Sequence, residues 1–224
     1  MKITWLGQAG LLFETNTVKI MIDPYLSDSV ERINPKNFRR VPVKKELFDL
    51  DIDVLIFTHN HLDHYDPETA NRFLAAGKNI LCLSPKSVWQ NLDRSTDNNF
   101  VQFDRHTEWT FGEIRFTAVK AVHSDDFAIG VVIEYRDKKY YVTGDTLYNS
   151  EIFMDLPENI NTVFLPINGV GNNMNEADAF RFAQQTGANH AVPLHFGMFD
   201  EKKPSLFQIV PHVYEKIKLD GELL

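Results

Sequence analysis

Residues 58–64 read THNHLDH, three histidines and one aspartate in seven positions. Buried imidazoles and carboxylates are costly without partners, so core packing does not gather them, and a surface loop gains nothing from such a cluster. His59 and His61 alternate, which lets an extended or tightly turned backbone send both imidazoles to one side. Asp63 and His64 follow immediately before a predicted helix, placed to face a second cation close by.

Working outward, apolar runs of strand length rich in Val, Ile, Phe and Tyr occur at 3–6, 11–14, 18–22, 54–58, 115–122, 129–135, 139–143, 162–167 and 191–194. The intervening residues 136–138 suggest a hairpin. Helices are predicted over 66–76, with Asp66 as N-cap, Pro67 at the first helical position and Gly77 at the end. Others are predicted over 176–186, capped by Asn175 and closed by Gly187, and over 204–218. Interspersed strands and helices imply a mixed α/β layered fold, taken as a single domain over 1–224. Asp23, His59, His123, Asp145 and His195 then stand at the trailing ends of five strands, where the loops of such a fold gather.

Composition narrows the function. Hydrophobic residues make up 43% and charged residues 24%, as in ordinary globular proteins. A net charge of −8 disfavours nonspecific nucleic-acid binding. The opening MKITWLGQAGLLFETN is broken by Gly7, Gln8, Gly10 and Glu14, unlike a signal peptide, and no run is long enough to span a membrane. Cys82 is the only cysteine, so no internal disulfide forms. The expectation is a cytoplasmic enzyme without nucleic-acid or membrane partners; a homo-oligomer is compatible with the sequence.

His59, His61, Asp63, His64, His123, Asp145 and His195 supply five imidazoles and two carboxylates. One tetrahedral ion uses about four ligands, so the set suits two ions sharing a carboxylate. Nitrogen and oxygen donors without thiolate fit Zn²⁺, Mn²⁺ or Fe²⁺. Such a pair, about 3.5–4 Å apart, lowers the pKa of water between them toward neutrality and makes hydroxide available. There is no Gly-x-Ser-x-Gly elbow to supply a serine nucleophile. His195, before Gly197 at its strand's end, is preferred over His190 at the strand's start; His106 and His212 are read as ordinary polar residues. Asp63 has a second possible role, carrying a proton to the leaving group.

Two further stretches raise substrate contacts. ERINPKNFRRVPVKK, residues 31–45, is locally basic, and Arg39 or Arg40 is expected to meet a phosphate or carboxylate, the alternative being a solvated loop or subunit contact. NGVGNNMN, residues 168–175, offers Asn168 and Asn173 as hydrogen-bond donors, with turn and capping needs as the alternative. Met174 stands where a dinucleotide fingerprint needs its third glycine.

HNHLDH resembles the His-x-His-x-Asp-His signature of the metallo-β-lactamase superfamily. The order Asp23, HNHLDH, His123, Asp145 in TGDT and His195 in PLHFGMF is similar to its five motifs along essentially the whole chain. The resemblance implies a four-layered αββα sandwich with metals at one edge of its two sheets. It implies one ion on His59, His61 and His123 and another on Asp63, His64 and His195, with Asp145 bridging and Asp23 bracing from behind. WLGQAGLLFET, IDPYLSDS, LPINGVGNNMN and PLHFGMF look most like the branch of L-ascorbate-6-phosphate lactonases, which open a sugar-acid lactone with divalent metal, often manganese. Position 61 is His where the oxygen-reducing di-iron relatives carry Glu. The expectation is therefore a lactonase using metal-bound hydroxide on a small anionic metabolite, with Asp63, His64 and Asp145 in catalytic roles. The alternatives are a phosphodiesterase using the same ions and a metal-binding module without turnover.

Overall fold

Alternation along the first strands builds two layers at once. Leu11, Phe13, Ile20, Ile22, Val54 and Ile56 enter one buried cluster, while Leu12, Met21 and Leu55, one residue out of phase, enter another. Both faces of this sheet are covered, which is why its strands read as continuous apolar runs.

The computed structural model describes residues 1–75, 79–200 and the backbone of 222–223. The first half contributes β1 (Lys2–Gly7), β2 (Gly10–Glu14), β3 (Lys19–Ile22), α1 (Ser29–Ile33), β4 (Val54–Ile56), α2 (Pro67–Leu74), β5 (Leu81–Ser84), α3 (Lys86–Trp89) and β6 (Asn99–Gln102). The second half contributes β7 (Glu108–Phe111), β8 (Ile114–Lys120), β9 (Ile129–Tyr135), β10 (Lys138–Val142), β11 (Thr162–Pro166), α4 (Glu176–Thr186) and β12 (His190–Leu194). Strands β1 to β6 lie in sequence order in one sheet, antiparallel to β3 and parallel from β3 to β6. Strands β7 to β12 form the second sheet, antiparallel to β10 and parallel from β10 to β12. Glu222–Leu223 (β13) returns to the first sheet beside β1, pairing Leu223 with Ile3.

The sheets pack face to face, with Phe13 edge-on to Phe164 at 5.6 Å and to Tyr140 at 5.9 Å. On the outer face of the first sheet, α2 and α3 bury Ala70, Phe73, Leu74 and Val88 against Leu12, Met21 and Cys82. On the outer face of the second, α4 buries Ala179, Phe182 and Ala183, Phe182 lying 6.3 Å from Tyr141. The layers run helix, sheet, sheet, helix, as the resemblance implied.

Each of the nine predicted strand runs is a strand, and 136–138 is the turn of the β9–β10 hairpin. The run at 54–58 leaves the strand after Ile56, because Asp23 Oδ1 accepts from Thr58 N at 2.8 Å. Asp66 caps α2 by accepting from Thr69 N, and Asn175 caps α4 by accepting from Asp178 N. Gly187 ends α4 with φ +67°, the left-handed conformation glycine takes without penalty. The predicted end of α2 at Gly77, the predicted helix over 204–218 and His212 lie outside the described residues. Among the described residues no helix is long and apolar enough to cross a membrane.

Candidate metal centre

The loops at the carboxyl ends of β3, β4, β8, β10 and β12 meet at one edge of the sandwich, where the two sheets are stitched together. Ile129 N donates to Thr58 O at 3.0 Å and His195 N to Gln8 O at 3.1 Å. Three non-glycine residues here hold positive φ: Gln8 at 52°, Asp23 at 45° and His195 at 56°. Few side chains tolerate that region, and it persists where surroundings over-determine it, as they do at functional sites. In TGDT, Gly144 has φ +61° and comes so near Thr58 that a Cβ would sit 2.9 Å from the threonine's own. Only glycine lets that turn deliver Asp145.

Seven side chains converge in two groups, His59, His61, His123 and Asp145, and Asp63, His64 and His195. Within each group the candidate ligand atoms all lie within 4.8 Å of one another. His61 Nδ1 stands 3.0 Å from His123 Nε2, and His195 Nε2 stands 3.0 Å from Asp63 Oδ2. Two ligands on a tetrahedral ion with bonds of about 2.0–2.1 Å are roughly 3.3 Å apart, so these spacings fit. Asp145 reaches both groups: Oδ2 lies 3.7 Å from His123 Nε2 and 3.0 Å from His195 Nε2, and Oδ1 lies 3.2 Å from His64 Nε2. Asp23, 1% exposed, accepts from Thr58 Oγ1 at 2.6 Å and meets His64 Nδ1 at 2.8 Å, which turns His64 Nε2 toward the cluster.

The decisive observation is that His59 Nε2 is buried and makes no hydrogen bond, with Asp145 Oδ2 standing 4.0 Å away. An unsatisfied buried group costs about 1–3 kcal/mol; a cation accepted by the His59 group removes that cost. Electrostatics divide the two groups. Burial, helped by the charge on His64, pushes His59 well below the usual histidine range, and burial also lowers His123. Burial presses His64 down too, but Asp145, Asp63 and Asp23 overcome it and hold it well above the usual value. His195 is raised to about 9 against its burial, chiefly by Asp145. Burial favours the neutral forms of Asp63 and Asp145, yet the nearby imidazoliums win and hold both below the usual carboxylate range.

Several expected substrate residues turn out to serve the protein's own structure. Arg39 spends its guanidinium on the carbonyl oxygens of Leu6 at 2.8 Å, Val41 at 3.2 Å and Tyr25. Arg40 lies over the Phe38 ring, 3.6 Å from its centroid. Neither lines the pocket above the histidines. Asn168 is turned inward, its amide 2.9 Å from His195 Nδ1, and Asn173 donates to Asp145 Oδ2 at 2.7 Å while accepting from Thr146 N at 3.0 Å. Both are 5–6% exposed and support candidate ligands instead of presenting donors to solvent. His190 begins β12, at the end away from His195, and the His106 ring stands 3.2 Å from Asp155 Oδ1, outside the centre. Two residues escaped the sequence reading. Asp125 accepts from Asn60 N at 3.0 Å and Ser87 Oγ at 2.6 Å, fixing the histidine loop. Gln8 donates to Asp63; its one signal was a polar side chain inside an apolar hairpin.

Above the two groups opens a pocket of about 390 Å³, floored by His61, Asp63, Asp145 and His195 and walled by the 170–173 loop and Phe199. That volume suits a small molecule.

Residues 18–196 match the beta-lactamase superfamily domain. The chain is 27% identical over 209 residues to a UPF0173 protein of Pyrococcus furiosus, covering 93% of this chain and 89% of that protein. It is 26% identical over 227 residues to a UPF0173 metal-dependent hydrolase of Bacillus mycoides, covering 94% and 91%. Among solved structures, a metallo hydrolase of the archaeon Ignicoccus hospitalis superposes with TM-score 0.79 at 20% identity, covering 99% of this chain and 97% of that one. An isothiocyanate hydrolase from Delia radicum gut bacteria superposes with TM-score 0.74 at 19% identity, covering 100% and 98%. With the family matched across both sheets and every candidate ligand, the chain belongs to the beta-lactamase superfamily and has the metallo-β-lactamase fold.

Proposed function

We propose that this protein hydrolyses a small acyl compound, a lactone first among them, at a two-cation centre. His59, His61 and His123 would hold one ion and Asp63, His64 and His195 the other, with Asp145 within reach of both groups. At the coarser level the chain is a metal-dependent hydrolase of the metallo-β-lactamase fold. The finer reading is carried by the buried, unpartnered Nε2 of His59 beside a pocket of small-molecule size. Bound divalent ions supply a lowered water pKa and positive charge beside the oxygen under attack.

The chain's own residues supply the rest. Asp63 opens onto the pocket, where it would orient the attacking water and pass its proton on to the leaving ring oxygen. Water adds to the carbonyl carbon, the ring C–O bond breaks, and a hydroxy acid results. Asp23 fixes His64, and Asn173 fixes Asp145. Among the described residues the pocket wall carries no lysine or arginine. Ser124 and Asn172 offer hydrogen bonds there and Val170 and Phe199 offer apolar contact, a wall better matched to a compact carbonyl compound than to a phosphate ester. The lactone is named first because of the resemblance of WLGQAGLLFET and PLHFGMF to the lactonase branch.

The test is a proton-release assay of Zn²⁺- and Mn²⁺-loaded protein on sugar lactones, simple lactones and phosphodiesters. Ring opening that disappears on chelation and in Asp145→Ala is the expected result. Cleavage of diesters alone, or of neither class, overturns the reading.

A further inference from the structure

The turn between β1 and β2 holds a polar residue that the ligand set does not account for. Gln8 is 5% exposed, and its Nε2 donates to Asp63 Oδ2 at 3.0 Å while standing 3.3 Å from His195 Nε2. The opposite amide orientation would set two acceptors 3.0 Å apart, so the hydrogen-bond network assigns the nitrogen to Asp63. Its main chain is bound to the same region: the Gln8 carbonyl accepts from His195 N at 3.1 Å and from Trp5 Nε1 at 2.9 Å. Trp5 in turn stacks on Phe196 at 5.3 Å. From the other side Arg39 grips the Leu6 carbonyl. A turn tied at so many points can keep Gln8 at φ +52°.

Asp63 Oδ2 faces Gln8, His195 and, at 3.6 Å, His64 Nε2. A carboxylate left to rotate loses freedom when it takes up an ion, whereas one N–H donated to it fixes its plane beforehand. Partners of this kind, outside the ligand set, change metal affinity by roughly 10–100-fold. We propose that Gln8 is a positioning residue of the metal centre: its carboxamide holds Asp63 against His195 and so sets the affinity for the ion on Asp63, His64 and His195. This rests on the ligand set proposed above.

The test uses the full chain with two substitutions. Gln8→Met keeps the bulk and loses the amide; Gln8→Gly loses the amide and relaxes the positive φ. Zn²⁺ affinities are read by chelator competition, and Co²⁺ titration follows the visible bands of each site. Both variants are expected to bind the first ion as the wild type does and the second roughly 10–100-fold more weakly, with altered Co²⁺ bands for that second ion and unchanged melting of the metal-free protein. Wild-type affinity for both ions in both variants overturns the inference. So does a loss confined to Gln8→Met, which traces the effect to the backbone, or an equal loss of both ions, which marks the turn as merely structural. A wild-type protein that binds fewer than two ions sinks the ligand set itself, a distinguishable failure.

Discussion

His64 and His195 are the side chains on which the metal-free centre turns. Carboxylates on either side raise both above the usual histidine range, whereas burial lowers His59 and His123. A metal ligand must be deprotonated. Uptake on Asp63, His64 and His195 at pH 7 is therefore expected to expel more protons per ion than uptake on the His59 group. Because its carboxylate neighbours push His195 up to about 9, affinity for the second ion should rise with pH toward that range and weaken below it. Calorimetry in buffers of different ionisation enthalpy counts the protons directly; equal release from both groups contradicts the charge assignment. At this scale the sequence displayed the candidate ligands, since metal chemistry demands particular residue types just after strands. It did not display their supports. Gln8 lies 55 residues from Asp63 and 187 from His195, and no local pattern links them. The charge of Arg39 is visible in the sequence, and the three carbonyls it grips are not.

Among the elements, strands with a clear apolar face were legible and the outlying strands β6 and β7 were not. Asn99–Gln102 and Glu108–Phe111 carry only exposed and half-buried side chains, and their extended state comes from ladders with β5 and β8. The strand β5 reads LCLS, too short to distinguish from a buried helical turn. Packing also depends on a lock between β8 and the 3-10 turn Ser150–Met154 that precedes Asp155. Asp155 accepts from Arg105 Nε at 2.6 Å and Nη2 at 2.8 Å, and from Lys120 N at 2.8 Å. The guanidinium, ahead of the smaller opposing effect of burial, holds the Asp155 carboxyl below the usual carboxylate range. Asp155→Asn should cost about 1–2 kcal/mol at pH 7. A depressed carboxylate pKa stabilises the fold above the unfolded value of about 3.9 and ceases to do so as pH falls through the folded one. The difference between variant and wild type should thus shrink below about pH 4, as urea melts across pH will show; a constant difference would place the effect in packing alone.

For the molecule as a whole, the candidate ligands come from loops on both sheets, so an ion bound there ties the halves of the sandwich together. Metal at about 100 times its Kd adds about 2.7 kcal/mol to stability. For a chain of this size that raises Tm by about 5–10 °C, reversibly with chelator. Calorimetric scans showing no shift with Zn²⁺ or Mn²⁺ would place the ions elsewhere. The sequence by itself determined which residue types stand at strand ends, which faces of the strands are apolar and where two helices begin, because periodicity, capping and ligand chemistry act over a few residues. Only the tertiary structure decided that Asn168 and Asn173 face inward, that Arg39 grips three carbonyls and that Gln8 reaches the centre. Those outcomes are hydrogen bonds between segments far apart in the chain, and their partners exist only once the two sheets have closed on each other.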